Sequence, residues 1–167
     1  MVKFVFDSCS LINLAKINNL SILKLISKEL YIDKAVQDEC VISGKALGYR
    51  DAFILDRFVE QNFTVIPQDY SEEIEYFGAK GEASTFLLGK NGICVTSDKK
   101  AFRKILNRGA KVIKIEDLFY LSLEKKTLSK EQFKQVINEL LKIDAISGEK
   151  YHILIKEMEE WERSQQG

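Results

Sequence analysis

The chain has 167 residues, 46% of them hydrophobic, which is enough for one ordinary globular domain with its own core but hardly for two. Its 25 basic and 25 acidic residues cancel, which excludes a global field that would attract nucleic acid or a membrane surface, so any polyanion binding must depend on a local patch. No apolar stretch approaches the roughly 18 residues that a membrane span requires, and a signal-peptide pattern is missing, so we expect a cytoplasmic protein without membrane contact.

Strand and helix patterns alternate through the first two thirds of the chain. Short runs rich in β-branched and aromatic residues predict strands at 2–6, 30–32, 63–67, 92–96 and 110–115. Apolar residues at three- and four-residue spacing predict helices at 10–16, 20–26, 35–40, 49–60, 82–90 and 99–109. In the fourth of these, Phe53, Ile54, Phe58 and Val59 are expected to share one side. The alternation is typical of an α/β fold with a largely parallel sheet.

From Glu116 onward the pattern predicts only helix. Ser129 and Gln132 have the capping-box form ahead of an apolar stripe, and Ser147 can cap a last helix. The first stripe comprises Phe133, Val136, Ile137, Leu140 and Leu141, and the second comprises Tyr151, Leu154, Ile155, Met158 and Trp161. These stripes must pack either on the α/β body or on another subunit.

The cysteines and the single histidine show no site pattern. Cys9, Cys40 and Cys94 lack disulfide or zinc-ligand spacing and are expected to be buried thiols. His152 is expected to serve packing or to lie on the surface of the last helix.

Four carboxylates stand where ligand sites form in a parallel sheet. Asp7 and Asp98 each follow a predicted strand, Glu82 opens a helix after Gly81, and Glu39 lies in the helix after the second strand. Loops at the carboxyl ends of parallel strands converge, so the four side chains are expected to face one cleft.

Oxygen ligands without a nearby His or Cys motif suit Mg²⁺ or Mn²⁺ better than zinc. Such an ion can activate water and neutralise charge on a phosphodiester. Each acid also has a structural interpretation, since Asp7 and Asp98 can be helix N-caps, Glu82 a favourable charge at a helix N-terminus and Glu39 a surface residue. Taken singly, those interpretations are the more economical.

The set is more specific than its members. The segments FVFDSCSLINLAK, AVQDEC, KGEASTFLLGK and ICVTSDKKAFRKILNRGAKVI, in this order and spacing, resemble the PIN domain family of metal-dependent nucleases. The likeness covers nearly the whole chain. The helical tail beyond residue 120 resembles that of the VapC-like prokaryotic subfamily.

This resemblance implies an α/β fold, a three-layer α/β/α sandwich with a mainly parallel sheet, in which residues 1–167 form one domain and about 120–167 a C-terminal helical appendage. It implies catalytic and metal-binding roles for Asp7, Glu39, Glu82 and Asp98, with Mg²⁺ or Mn²⁺ as cofactor, in an endoribonuclease that hydrolyses RNA. Many relatives are toxins of type II toxin-antitoxin systems, are inhibited by a small DNA-binding antitoxin and form homodimers.

Some details depart from the family pattern or stay open. Asp33 and Lys34 stand where relatives often have a proline before the second helix, and Ser97 precedes a single acid where many relatives have two adjacent acids. Asp38 is the alternative to Glu39 as the second acid.

Substrate contact is predicted for Ser8, Ser97, Lys99 and Arg103. The last two belong to a basic run with Lys100 and Lys104 that begins beside Asp98, with Lys80 near Glu82. A solvated helix face would give the same pattern, and the serines could simply cap helices.

Rival functions fit less well. A haloacid-dehalogenase-type phosphatase would need an acid at the position of Cys9, and a response-regulator receiver would need an acidic pair before its phosphoacceptor. The remaining alternatives are an RNA-processing PIN nuclease without an antitoxin and a catalytically silent PIN-like scaffold, although four clustered acids would cost a scaffold stability.

Overall fold

Five parallel strands form one sheet in the computed structural model, which describes residues 2–167. Their order is β3-β2-β1-β4-β5, and the strands are β1 (Phe4–Phe6), β2 (Leu30–Asp33), β3 (Thr64–Ile66), β4 (Ile93–Thr96) and β5 (Val112–Lys114). All five predicted strands are present; four are shorter than predicted, whereas β2 extends one residue further, to Asp33. The β1 strand is central and wholly buried, which explains why it reads FVF without alternation.

Helices cover the sheet, and the fold is a PIN-like α/β/α sandwich with C-terminal helices, as predicted. Those that belong to the α/β body are α1 (Ser8–Lys16), α2 (Leu23–Ile26), α3 (Lys34–Gln37), α4 (Ser43–Ala46), α5 (Arg50–Asn62), α6 (Ile74–Phe77), α7 (Lys80–Leu88), α8 (Lys99–Asn107) and α9 (Ile115–Glu124). The helix predicted at 35–40 continues through a π-helical turn at Asp38–Ile42 into α4. Periodicity did not predict α6, which has only four residues.

The tail consists of α10 (Lys130–Lys142) and α11 (Gly148–Gln166). The predicted capping box is present, since the Ser129 hydroxyl accepts from the Gln132 N–H at 3.1 Å and the Gln132 side chain accepts from the Ser129 N–H at 2.8 Å. Phe133, Leu140 and Leu154 are fully buried in the same apolar cluster as β1. The stripes therefore pack on the α/β body of the same chain.

Two predictions about side chains are wrong. Cys9 is half-buried rather than buried, unlike Cys40 and Cys94, because α1 buries a face made of Ser10, Leu11, Leu14 and Ala15. Phe53 is 55% exposed whereas Val59 is buried with Ala52 and Leu55, so the four apolar residues of α5 do not share one side. The exposed side of α5 consequently carries a large aromatic ring.

Candidate active site

Asp7 lies at the carboxyl end of the central strand and begins α1. Its Oδ1 accepts a hydrogen bond from the Ser10 N–H at 3.0 Å, so Asp7 is the N-cap of that helix. Its backbone N–H bonds to the Val95 carbonyl at 3.1 Å, which fixes it against β4. The side chain is buried. Hydrogen bonds to the backbone of α1 and of β4 therefore hold this buried carboxylate at the carboxyl end of β1.

One hydroxyl connects Asp7 with Asp98. The buried Thr96 hydroxyl donates to Asp7 Oδ2 and accepts from the Asp98 N–H at 3.0 Å. Asp98 in turn caps α8, with its Oδ1 accepting from the Ala101 N–H at 2.9 Å. The two aspartates are therefore neighbours, as the sequence predicted, and both are also helix caps.

Glu39 reaches the same edge from the π-helical turn. Its Oε1 accepts from the Gly81 N–H at 3.0 Å and its Oε2 from the Ser8 hydroxyl at 2.8 Å. Asp38 instead forms an ion pair with Lys34 at 2.9 Å, with about half of its side chain exposed. This geometry favours Glu39 over Asp38 as the second acid. A π-helical turn inserts an extra residue, which changes the direction of the side chains that follow.

Glu82, in the first turn of α7, differs from the other three acids. Its Oε2 atom is buried and has no hydrogen-bond partner within residues 2–167. The nearest cation is the Lys104 ammonium, which lies 3.9 Å from that oxygen and donates to the Phe77 carbonyl at 2.7 Å. A buried carboxylate oxygen without a donor is costly unless a proton or a cation is bound there.

The carboxylates act on one another electrostatically. Burial raises the pKa of Asp7, and the charge of Asp98 raises it further. Burial also raises the pKa of Glu82, against the lowering effect of Lys104, and the charges of Asp98, Asp7 and Glu39 add to the rise. All four acids thus contribute to one region of negative potential, in which a cation would be stabilised.

The donor set fits a hard divalent cation, although the side chains are not arranged around one. Within residues 2–167, no three His, Cys, Asp or Glu side chains are placed so that they could hold one ion together. Oxygens of Asp7, Glu39 and Asp98 accept hydrogen bonds from the protein. The unpartnered Glu82 oxygen and an all-oxygen set of carboxylates nevertheless suit Mg²⁺ or Mn²⁺.

Comparison with known proteins is consistent with this geometry. A family model described as a PIN domain matches residues 3–160. The chain belongs to the PIN domain family. PIN domains are generally nucleases that hydrolyse phosphodiester bonds and typically use divalent metals. Searches of curated proteins and of solved structures each returned no match. None of the helices within residues 2–167 is long and apolar enough to cross a membrane.

The two serines proposed for substrate contact occupy different places in this PIN domain. Ser8 donates to the Glu39 carboxylate, so it positions an acid. The Ser97 hydroxyl lies 3.4 Å from the Ser10 hydroxyl and is half-buried. Ser97 also lines a cavity of about 240 Å³ between the body and α11.

The basic residues of α8 have different surroundings. Lys99 lines the cavity that contains Ser97, together with Lys114 and Lys150 of neighbouring elements. Arg103 is exposed on the surface of α8. Only Lys104 of this run forms an ion pair with one of the four acids within the described residues.

Two contributions to this PIN-domain site were missed from the sequence. Thr96 was not predicted to contribute, yet its hydroxyl joins two acids. A hydroxyl at the last residue of a buried strand, in register with β1, was the signal that could have revealed it. Lys104 was indistinguishable from its basic neighbours, because its contact with Glu82 depends on how α8 packs on α7.

Proposed function

We propose that this PIN domain is a Mg²⁺- or Mn²⁺-dependent endoribonuclease with Asp7, Glu39, Glu82 and Asp98 as its metal-binding and catalytic residues. The observation that carries the proposal is the buried Glu82 Oε2 atom, which has no hydrogen-bond partner within residues 2–167 and lies in the field of three other carboxylates. A cation there would relieve both the missing partner and the mutual repulsion.

The protein's part in the chemistry is to position these acids. The Thr96 hydroxyl holds the Asp7 side chain next to the Asp98 backbone, while Gly81 and Ser8 orient Glu39. When bound, a divalent ion supplies an activated water near neutral pH and offsets charge that develops on the phosphodiester.

A thiolate mechanism is disfavoured by the environment of Cys9. Burial, with the charges of Asp7 and Asp98, raises the pKa of the Cys9 thiol to about 11. The thiol is therefore protonated at neutral pH and is a poor nucleophile. Hydrolysis by water is the reaction that the site favours.

The proposal is tested by cleavage of a pool of cellular RNAs with and without Mg²⁺ or Mn²⁺. We expect metal-dependent cleavage that falls about 100-fold or more in Asp98→Asn. Mutation of a residue that only hydrogen-bonds a metal ligand already lowers activity about 10- to 100-fold, and Asp98 is proposed as a ligand itself. Asp38→Asn is the matched control and should retain activity. Equal cleavage by wild type and Asp98→Asn would point to a contaminating nuclease and contradict the proposal.

We further propose that this nuclease is the toxin of a type II toxin-antitoxin system, acting in the cytoplasm as a homodimer and inhibited by a small DNA-binding antitoxin. The similarity of its tail to the VapC-like subfamily supports this role. Expression in a bacterial host should arrest growth, and Asp98→Asn should abolish the arrest. Normal growth at high wild-type levels would instead favour an RNA-processing enzyme without an antitoxin.

A further inference from the structure

Two cavities that share Arg50 lie against α5. The inner cavity, of about 520 Å³, is lined by Glu39, Tyr49 and Arg50 among others, and the outer cavity, of about 480 Å³, by Arg50, Phe53 and Arg57 among others. Glu39 lines the inner cavity and Arg50 lines both, so the two cavities together extend from the acidic centre along α5. We call the two cavities together the α5 groove.

The outer half of the α5 groove is basic. Arg50 and Arg57 are its charged lining residues, and no carboxylate lines it. Within residues 2–167, neither guanidinium lies within ion-pair distance of a carboxylate. The neighbouring Asp56 is already paired with Lys45. Two free guanidinium groups are suited to binding phosphate, which they contact through parallel N–H donors.

The same groove presents aromatic rings to solvent. Tyr49 is 60% exposed and Phe53 is 55% exposed, and Phe53 shares the outer cavity with both arginines. Exposed rings beside phosphate-binding cations are how proteins hold single-stranded nucleic acid, since unpaired bases stack on the rings. Bases within a duplex are already stacked and cannot reach such rings.

The two arginines and Phe53 line up along α5. Arg50, Phe53 and Arg57 follow i, i+3, i+7 spacing and therefore lie on one face of α5. The two arginines are separated by about 10 Å along the helix axis, so they would contact different phosphates. A protein partner with an apolar surface would instead bury two unpaired guanidinium groups, at a large desolvation cost.

We propose that the α5 groove binds the single-stranded RNA that flanks the cleaved bond. Unpaired bases stack on Tyr49 and Phe53, and phosphates bind Arg50 and Arg57. This inference rests on the proposed ribonuclease function and adds to it a binding surface for RNA outside the acidic centre.

The test measures binding separately from cleavage. Fluorescence anisotropy with a labelled mixed-sequence RNA 12-mer, as single strand or duplex, is recorded in EDTA with the full chain. The double variant Arg50→Gln/Arg57→Gln should weaken single-strand binding about 10-fold or more and lower the magnitude of the salt slope by about 1.4. Tyr49→Leu and Phe53→Leu should each weaken it about 10-fold, with little effect on duplex.

The matched controls line neither cavity of the groove. Arg163→Gln on α11 and Tyr76→Leu on α6, both at exposed positions, should leave single-strand binding unchanged. Circular dichroism and sedimentation should show that every variant is folded and of wild-type oligomeric state.

The outcomes separate this inference from the proposed function. Groove-dependent binding by a protein that does not cleave with Mn²⁺ would support the groove and contradict the nuclease. Metal-dependent cleavage with normal binding by the groove variants would overturn the groove alone. Equal losses for single strand and duplex, or a change of oligomeric state in the groove variants, would also overturn it, by indicating diffuse attraction or an interface between copies.

Discussion

Gly81 brings the first turn of α7 directly against the Glu39 carboxylate. A Cβ atom built on Gly81 would lie 2.5 Å from both Glu39 carboxylate oxygens. The same residue donates its N–H to Glu39 at 3.0 Å. The absence of a side chain here therefore lets a main-chain donor orient an acid, a contact that sequence spacing alone could not predict.

Replacing Gly81 by alanine should separate activity from stability. Alanine is favoured over glycine in a helix by about 1 kcal/mol, and the displaced carboxylate ends a flexible side chain, so we expect a melting temperature at or above that of wild type. Metal-dependent RNA cleavage should fall about 10-fold or more, because Glu39 loses its position. Gly148→Ala in the first turn of α11, where nothing lies within 4 Å of an added Cβ, is the control. Wild-type activity in Gly81→Ala would show that the position of Glu39 does not matter.

Asp33 provides a pH-dependent test at a second buried acid. Its Oδ1 caps α3 by accepting from the Ala35 N–H at 2.7 Å, while its Oδ2 is buried without a partner in the described part of the chain. Burial raises the pKa of Asp33. The folded state therefore holds this proton more tightly than the unfolded state, and wild-type stability falls as pH rises from the ordinary carboxylate range through the raised value.

Asp33→Asn keeps the capping oxygen and removes the charge. We expect its free energy of unfolding to exceed that of wild type by a margin that grows between about pH 4 and about pH 7. Urea unfolding at both pH values measures this margin. A margin that stays constant or shrinks as pH rises would contradict the stated cost of the buried carboxylate.

At the scale of elements, the site depends on how the ends of two strands are joined. Residues of β1 and β4 pair in register, which places the residue after Phe6 beside the last residue of β4. The order of apolar runs and helices was enough to predict that Asp7 and Asp98 would be neighbours. It could not predict the π-helical turn that carries Glu39, because one extra residue in a helical turn leaves little trace in apolar spacing.

Thr96→Val tests this junction. Valine matches the shape of threonine but leaves Asp7 Oδ2 and the Asp98 N–H without their partner, at a cost of about 1–3 kcal/mol in the free energy of unfolding. RNA cleavage should also fall about 10-fold or more, while Thr96→Ser, which keeps the hydroxyl, retains most of it. Chemical denaturation and cleavage assays measure both effects. Equal activity in the two variants would show that the hydroxyl does not position the aspartates.

For the whole molecule, the tail shares the core of the body. The sequence predicted both tail helices and their stripes, since caps and apolar spacing are local signals. It left open whether the stripes pack on the body or on another subunit, because amphipathic spacing specifies a buried face and not its partner. Burial of Phe133 in the cluster that contains Phe6 answers that question.

A tail that shares the core should unfold together with the sheet. Phe133→Ala should lower the free energy of unfolding by about 3–5 kcal/mol and leave a single transition. The neighbouring exposed Lys134→Ala should change it by less than about 0.5 kcal/mol. Calorimetry and tyrosine and tryptophan fluorescence measure this. Two separate transitions in wild type, or no loss in Phe133→Ala, would show that the tail is energetically independent.

The proposed nuclease activity depends above all on four acids forming one cation-binding centre at the carboxyl ends of the strands. Its most direct test is a titration of thermal stability with Mn²⁺ in wild type, Asp7→Asn, Asp98→Asn and the control Asp38→Asn. We predict a rise in melting temperature with Mn²⁺ in wild type and in the control, by mass action on the folded state, and its loss in the other two variants. No rise in wild type, or the same rise in all four proteins, would contradict the metal centre.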